Sequence, residues 1–193
     1  MTTVEPPPRA RIAEARRNRE TLLAVAARAF ATRSGRVPLE SIAREAGVGI
    51  ATLYRHFPTR EALVSAVYQD QVERLGIAAD ALLADLPPHR ALREWMDRFA
   101  EWAATKLGMI ESLGAIVASG DLRYDEMRAR LVAVVDRFLA AGRTAGDIRS
   151  DADPHDVAAL LAAVLGADAP PAQRSRMLDI IADGLEAGPV RRG

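Results

Sequence analysis

The segment with the most varied surface chemistry in the chain is residues 50–57, where five kinds of side chain follow one another. At 100° per residue of an α-helix, Leu53 and Phe57 share one face, which we expect to be buried. The opposite face and its flanks carry a methyl group, a hydroxyl, a phenol, a guanidinium and an imidazole, from Ala51, Thr52, Tyr54, Arg55 and His56. Methyl groups contact thymine, a guanidinium donates to guanine or phosphate, and hydroxyls donate to phosphates. The segment therefore predicts a helix that lies in a major groove of DNA.

A second short helix must hold this segment in place. Apolar residues recur at i, i+3, i+4 and i+7, as Leu39, Ile42, Ala43 and Ala46, after a proline at the start, Pro38. Gly47 ends this helix, because glycine readily takes the left-handed backbone of a helix stop. Val48 then fills the angle between the two helices. The spacing predicts a helix-turn-helix.

This block resembles the DNA-binding segment of the TetR-type transcriptional regulators over roughly residues 15–65. The matching positions are Ile42, Ala43, Ala46, Gly47, Val48, Thr52, Leu53, Tyr54, His56, Phe57, Glu61, Ala62 and Leu63. Gly49 stands where the family usually has serine, and Ala51 where it commonly has glycine. Glycine at the helix N-cap costs only about a few tenths of a kcal/mol relative to serine. The resemblance implies that the distal part of the chain binds an inducer and a dimer partner.

We expect the DNA contacts to come from the reading helix and from the basic residues around it. The predicted set is Arg36, Arg44, Gly49, Ile50, Ala51, Thr52, Tyr54, Arg55, His56 and Arg60. Thr52, Ala51 and Arg55 are expected to read bases, and by the resemblance Tyr54 and His56 donate to phosphates. Arg60 is in the first turn of the next helix, beside free backbone N–H groups, so side chain and helix terminus would hold one phosphate jointly.

The charge is distributed unevenly although the chain is neutral overall. Residues 1–60 hold eleven Arg and five Glu, whereas residues 61–193 hold fifteen basic and twenty-one acidic residues. The basic end suits a polyanion such as double-stranded DNA. The chain has no cysteine, and its three histidines are scattered, so we expect no metal, cofactor or catalytic triad. No export signal and no run of about 18 apolar residues occur, which predicts a cytoplasmic protein without membrane contact.

Helical patterns fill the remainder, and strand patterns are absent. We predict an all-α fold of about nine helices, with an N-terminal three-helix DNA-binding domain and a C-terminal helical domain for ligand binding and dimerisation. The expected division is a flexible arm at 1–9, the DNA-binding domain at 10–58 and the regulatory domain at 59–193. Beyond the fourth helix, which starts near Thr59, the predicted helices are His89–Lys106, Met109–Ala118, Asp125–Ala145, Pro154–Ala167 and Pro171–Ala187.

An aromatic stripe marks the fifth predicted helix, with Trp95, Phe99 and Trp102 at i, i+4 and i+7. Two interpretations are open: an ordinary core, or a cavity for a small, largely apolar effector. The residues predicted for such a cavity are Trp95, Phe99, Trp102, Met109, Leu113, Ile116, Met127 and Leu131.

The last two predicted helices are unusually apolar. Residues 157–167, VAALLAAVLGA, carry no charged or strongly polar side chain, so every face of this helix must be covered. A deeply buried helix in one chain is one explanation. In the resembling family, however, the last two helices form a four-helix dimer interface across a two-fold axis. The residues predicted for that interface are Val157, Leu160, Leu161, Val164, Leu165, Met177, Leu178 and Ile181.

These observations predict a ligand-responsive repressor that binds a pseudo-palindromic DNA operator as a homodimer and is released by a small apolar molecule. Two other classes remain open. One is a DNA-binding protein without a ligand switch, and the other is a protein whose distal domain is an enzyme.

Overall fold

The computed structural model describes residues 8–32, 37–107, 109, 113–114, 116, 124–167 and 169–188. Over these residues the chain is helical, and the only extended pairing is an isolated antiparallel bridge between Ile148 and Glu186. The helices are α1 Pro8–Thr32, α2 Leu39–Glu45, α3 Ile50–His56, α4 Arg60–Asp85, α5 Pro88–Leu107, α6 Tyr124–Ala145, α7 Pro154–Gly166 and α8 Pro171–Leu185. The predicted all-α class is confirmed.

One predicted segment has a different boundary in the structure, and another lies largely outside the described residues. Helix α1 begins at Pro8, so residues 8 and 9 of the predicted flexible arm are helical. Proline is tolerated there because the first turn of a helix leaves its N–H groups unbonded. The helix predicted at Met109–Ala118 lies largely outside the described residues. Of the few residues that are described in this range, 113, 114 and 116 are helical.

The chain divides into two compact units. The first comprises Met1–Asp70 with Ala104–Leu122, and the second comprises Gln71–Ala103 with Arg123–Gly193. Helix α4 contributes residues to both, since it runs unbroken from Arg60 to Asp85. The expected change of domain at residue 59 therefore coincides with the start of α4, whereas the contacts divide the chain further along this helix.

The first unit holds the helix-turn-helix on a core of apolar side chains. Helix α1 contacts α2, and α2 contacts α3. Each helix supplies fully buried residues to this core, among them Leu22, Leu23, Phe30, Ile42, Leu53, Leu63 and Val64. The first turns of α1 are exposed from residue 12 to residue 17, so only the later turns anchor the unit.

The second unit is built from the later turns of α4, most of α5, and α6 to α8. Helix α6 contacts α7, and α7 contacts α8. Arginines join its helices at their edges: Arg93 of α5 pairs with Asp179 of α8, and Arg137 of α6 pairs with Asp80 of α4. The core includes Leu92, Trp95, Met96, Val135, Phe138, Leu139 and Leu161.

The end of α6 is closed by a tight turn that needs two glycines. Gly146 has φ +77°, which only glycine adopts at low cost. The carbonyl of Gly142 accepts bonds from the N–H groups of Gly146, Asp147 and Ile148 at 2.8, 3.1 and 3.3 Å. The side chain of Ile148 occupies the space beside Gly142 that a Cβ would need. This turn delivers Arg149, whose N–H donates to the carbonyl of Leu185 at the end of α8.

Candidate nucleic-acid interface

The turn between α2 and α3 sets the angle of the reading helix. Gly47 has φ +70°, as predicted for a left-handed helix stop. Its N–H donates to the carbonyl of Arg44, and the N–H of Val48 donates to the carbonyl of Ala43 at 3.0 Å. This pair of bonds is a Schellman motif, which ends α2 and leaves Val48 half-buried in the angle. The predicted helix-turn-helix is confirmed.

Helix α3 buries one face and exposes the other, as the spacing predicts. Leu53 is fully buried and Phe57 is 2% exposed. Ala51, Tyr54 and Arg55 are exposed, with 44% of Tyr54 accessible. Thus the apolar residues fix the helix, while a methyl group, a phenol and a guanidinium are exposed on its outer face.

Two residues expected to read bases are joined to each other. Arg55 Nη2 donates to Thr52 Oγ1 at 3.0 Å, and Arg55 Nε lies 3.4 Å from the carbonyl oxygen of Ala51. The guanidinium therefore folds back along its own helix, and the hydroxyl of half-buried Thr52 has its donor within the chain. In the sequence, only the i, i+3 spacing of the two residues indicates this bond.

The other predicted DNA residues surround α3. Gly49 is the N-cap of α3, and exposed Ile50 is its first residue. Arg44 is exposed in the last turn of α2, and His56 is half-buried with its ring centroid 6.2 Å from that of Phe57. Arg36 lies outside the described residues.

An open groove of about 490 Å³ lies beside α3 in the first unit. Its lining residues come from the start of α2, from α3 and from the start of α4: Val37, Pro38, Leu39, Glu40, Tyr54, Thr59 and Arg60. Thr59 caps α4, because its hydroxyl accepts a bond from the N–H of Ala62 at 3.0 Å. The groove is thus lined by a phenol, a hydroxyl and a guanidinium, together with the carboxylate of Glu40.

Arg60 has partners within the protein. Its Nη1 donates to the carbonyl of Val37 at 2.6 Å, and the guanidinium lies 5.8 Å from the ring centroid of Phe30. At the end of α3, the guanidinium of Arg19 lies 5.4 Å from the ring centroid of Phe57. Both ends of the helix-turn-helix are therefore in contact with an arginine.

The aromatic stripe of the second unit is a stacked column. The rings of Trp95 and Phe99 lie 5.3 Å apart at 13°, and those of Phe99 and Trp102 lie 5.1 Å apart at 21°. Phe138 of α6 packs against Trp95 at 5.6 Å, and the indole N–H of Trp95 donates to the carbonyl of Leu75 at 2.9 Å. All four rings are buried, which is the arrangement of an ordinary core.

The remaining residues predicted to bind a ligand are divided between the two units. Met109, Leu113 and Ile116 are buried and belong to the first unit. Leu131 is half-buried in the second unit, and the side chain of Met127 lies outside the described residues. A cavity lined by the whole set stays a prediction.

The residues predicted for a dimer interface, on α7 and α8, differ in how far their side chains are buried within one chain. Five of them are buried within the single chain: Val157, Leu161, Val164, Leu165 and Leu178. Leu160 is 53% exposed, and Met177 and Ile181 are half-buried. Helix α7 contacts both α6 and α8. An interface formed by the whole set stays a prediction. Ile180 of α8, absent from the predicted set, is 70% exposed.

The start of α7 illustrates the role of the acidic residues between 151 and 156. Asp153 is the N-cap of α7 and accepts a bond from the N–H of His155 at 2.7 Å, which holds the pKa of its carboxyl below the usual range. The hydrogen bond from Arg149 lowers the pKa of Asp151 to about 2. In the part of the chain described, no cluster of three metal-ligating side chains occurs, and no helix there is long and apolar enough to cross a membrane.

Comparison with known proteins agrees with this architecture. Residues 22–67 match the family of bacterial regulatory proteins called the tetR family, and residues 87–187 match the C-terminal domain of SbtR-like transcriptional regulators. No curated protein matches the chain.

Solved structures extend the match to nearly the whole chain. A TetR transcriptional regulator from Streptomyces coelicolor is 45% identical, with a TM-score of 0.80 over 87% of this chain and 98% of that one. A TetR transcription regulatory protein from Mycobacterium vanbaalenii is 37% identical, with a TM-score of 0.72 over 90% and 98% of the two chains. A gamma-butyrolactone receptor, at 23% identity and a TM-score of 0.55 over 93% and 92%, shares the fold. The chain belongs to the TetR family of bacterial transcriptional regulators.

Proposed function

We propose that this protein is a ligand-responsive repressor that acts in the cytoplasm and binds a pseudo-palindromic DNA operator as a homodimer. The observation that carries this proposal is the outer face of α3. Arg55, Tyr54 and Ala51 are exposed there, while Leu53 and Phe57 lock the helix onto the core. A rigidly seated helix with hydrogen-bonding groups outward is suited to read base edges in a major groove.

The groove beside α3 supports separate sets of residues for phosphate contacts and for base contacts. Tyr54 and Thr59 bring hydroxyl groups to this groove, at the side of the reading helix where a DNA backbone would pass. Hydrogen bonds to phosphates orient a protein on the duplex without reading its sequence. We assign Tyr54 and His56 to this positioning role, with weaker contributions from Arg44 and Arg36, and we assign base reading to Ala51, Thr52 and Arg55.

The surface of α7 and α8 supports the homodimer. Leu160 is 53% exposed and Ile180 is 70% exposed, and the neighbouring exposed residues Ala159 and Ala163 are small. Large apolar side chains flanked by small ones allow two helix pairs to approach closely. A second copy of the same surface, related by a two-fold axis, would cover both apolar residues and place two α3 helices on one duplex.

The effector that we propose is a small, largely apolar molecule that binds in the second unit. The column of Trp95, Phe99 and Trp102 would contact a small, largely apolar molecule if the second unit opened around it. Because both tryptophans are in this column, the molecule would change the protein fluorescence and lower its affinity for the operator by about 5- to 150-fold.

Constitutive DNA binding is the second candidate function. It is favoured by the close stacking of the same column, whose rings lie 5.1 to 5.6 Å apart and fill their own space. A compound screen separates the two. Compounds that change the fluorescence and also release the DNA support the switch, whereas fluorescence changes without release support constitutive binding.

Selection of duplexes from a random-sequence pool tests the function itself. The proposal predicts enrichment of an inverted repeat, bound with an affinity that falls steeply as salt rises, because phosphate contacts release counterions. Recovery of no preferred sequence would leave a non-specific DNA-binding protein.

A further inference from the structure

Arg60 joins three elements of the DNA-binding unit. It is the first residue of α4 and is half-buried. Its Nη1 donates to the carbonyl of Val37 at 2.6 Å, and its guanidinium lies over the ring of Phe30, 5.8 Å from the centroid. Phe30 belongs to α1 and is 1% exposed, so the ring is held firmly by the core.

The carbonyl that Arg60 contacts lies at the entry to the helix-turn-helix. Val37 immediately precedes Pro38, the N-cap of α2. The carbonyl of Pro38 in turn accepts bonds from the N–H groups of Ser41 and Ile42, at 3.2 and 3.4 Å, and from the hydroxyl of Ser41 at 2.7 Å. The orientation of the chain at Val37 therefore sets the direction in which α2 begins. A hydrogen bond from a charged donor is among the strongest available for fixing it.

Arg60 also lies on the groove beside α3. The starts of α2 and α4 line this groove together with Tyr54 of α3. Arg60 and Val37, the two partners of the hydrogen bond, are both among the lining residues. The bond therefore ties the chain just before α2 to the start of α4, at a groove that Tyr54 also lines.

We propose that Arg60 is a positioning residue, which holds α2 and α3 at the angle needed to read DNA through its contacts with Val37 and Phe30. This role rests on the proposed DNA-binding function. It differs from the phosphate contact expected from the sequence, because the guanidinium acts on the protein backbone and on an aromatic ring.

Salt dependence distinguishes the two roles. Each lost phosphate contact reduces the slope of log affinity against log salt concentration by about 0.9. The variant Arg60→Met keeps the apolar stem and removes the charge and its donors. On the duplex selected by the wild-type protein, we expect Arg60→Met to bind about tenfold more weakly, with the salt slope unchanged.

A matched control comes from the second unit. Arg149 donates to Asp151 and lies 3.4 Å from the carbonyl oxygen of Gly184, so Arg149→Met removes a similar set of contacts away from the DNA-binding unit. Its affinity for the selected duplex should change less than about twofold. Both variants are measured well below their melting temperatures, so that global unfolding does not contribute.

A second variant keeps the test open if Arg60→Met fails to fold. Phe30→Leu removes the aromatic face from a side chain that is too buried to touch DNA. It should also weaken operator binding without changing the salt slope. A slope reduced by about 0.9 in Arg60→Met would make Arg60 a phosphate ligand and overturn the role, as would unchanged affinity in a folded Arg60→Met or in Phe30→Leu. If the wild-type protein itself bound no duplex, the proposed function would fail as well.

Discussion

At the scale of single residues, two side chains on the outer face of α3 are linked by a hydrogen bond. The hydrogen bond between Arg55 and Thr52 places the guanidinium close to the helix, where it contacts a neighbouring hydroxyl. To reach a guanine edge, Arg55 must leave this partner or carry it into the interface. We therefore expect the two side chains to act together on DNA, although each residue type taken alone predicts a separate reader.

A double-mutant cycle tests this coupling. Thr52→Ala and Arg55→Ala should each alter base preference on single-base variants of the selected duplex, at a cost of about 1–3 kcal/mol for a good base contact. Their effects should be non-additive by at least about 0.5 kcal/mol, because each variant removes the other's partner. Competition binding measures both quantities. Additive effects would show that the bond is lost on DNA, and an unchanged preference profile in Arg55→Ala would assign Arg55 to a phosphate.

At the scale of elements, the turn after α6 depends on a missing side chain. A Cβ added to Gly142 would lie 2.4 Å from the side chain of Ile148. Even the Cβ of Ile148, which cannot move away by rotation of the side chain, would lie only 2.6 Å from it. Gly142→Ala should therefore lower the free energy of unfolding by about 1–3 kcal/mol. Gly184→Ala, in α8 with open space around the added carbon, is the control and should be neutral or stabilising. Chemical denaturation of the two variants compares them, and equal stabilities would refute this packing.

The loop before α7 predicts a specific dependence of stability on acid. The pKa of Asp151 is lowered to about 2 by its bond with Arg149, below the ordinary value of about 3.9. The stabilisation is therefore fully present above about pH 4, and it is lost as the pH falls toward about 2. Asp151→Asn should melt at a lower temperature than the wild type at pH 7, by a small amount because the pair is exposed. The gap should close in acid, and a gap that persists to pH 2 would contradict the assignment.

The features that could be predicted from the sequence are those set by near neighbours. Gly47 and Thr59 end and begin helices as expected, because the backbone freedom of one residue or the reach of one hydroxyl decides each case. The contact of Arg60 with Val37 joins residues 23 positions apart, so no local pattern indicates it. The burial of Leu161 beside exposed Leu160 also depends on which neighbouring helix covers each side of α7.

At the scale of the whole molecule, the apolar surface of α7 and α8 has two classes of residue that respond differently to charge. Leu161 is fully buried, so Leu161→Arg would place an unpaired guanidinium in the core and unfold the chain. Leu160 is exposed, so Leu160→Arg should fold normally and weaken self-association at least about tenfold. Sedimentation of the wild type and of Leu160→Arg measures their self-association. A wild-type monomer at micromolar concentration would remove the proposed interface.

In the proposed homodimer, two copies of α3 read one duplex together. Footprinting of the wild-type protein on its selected duplex, with the mass of the complex measured in parallel, tests this most directly. We expect two protomers on two inverted half-sites, with centres about 34 Å apart or a multiple of that distance. Protection of a single asymmetric half-site by one protomer would contradict it.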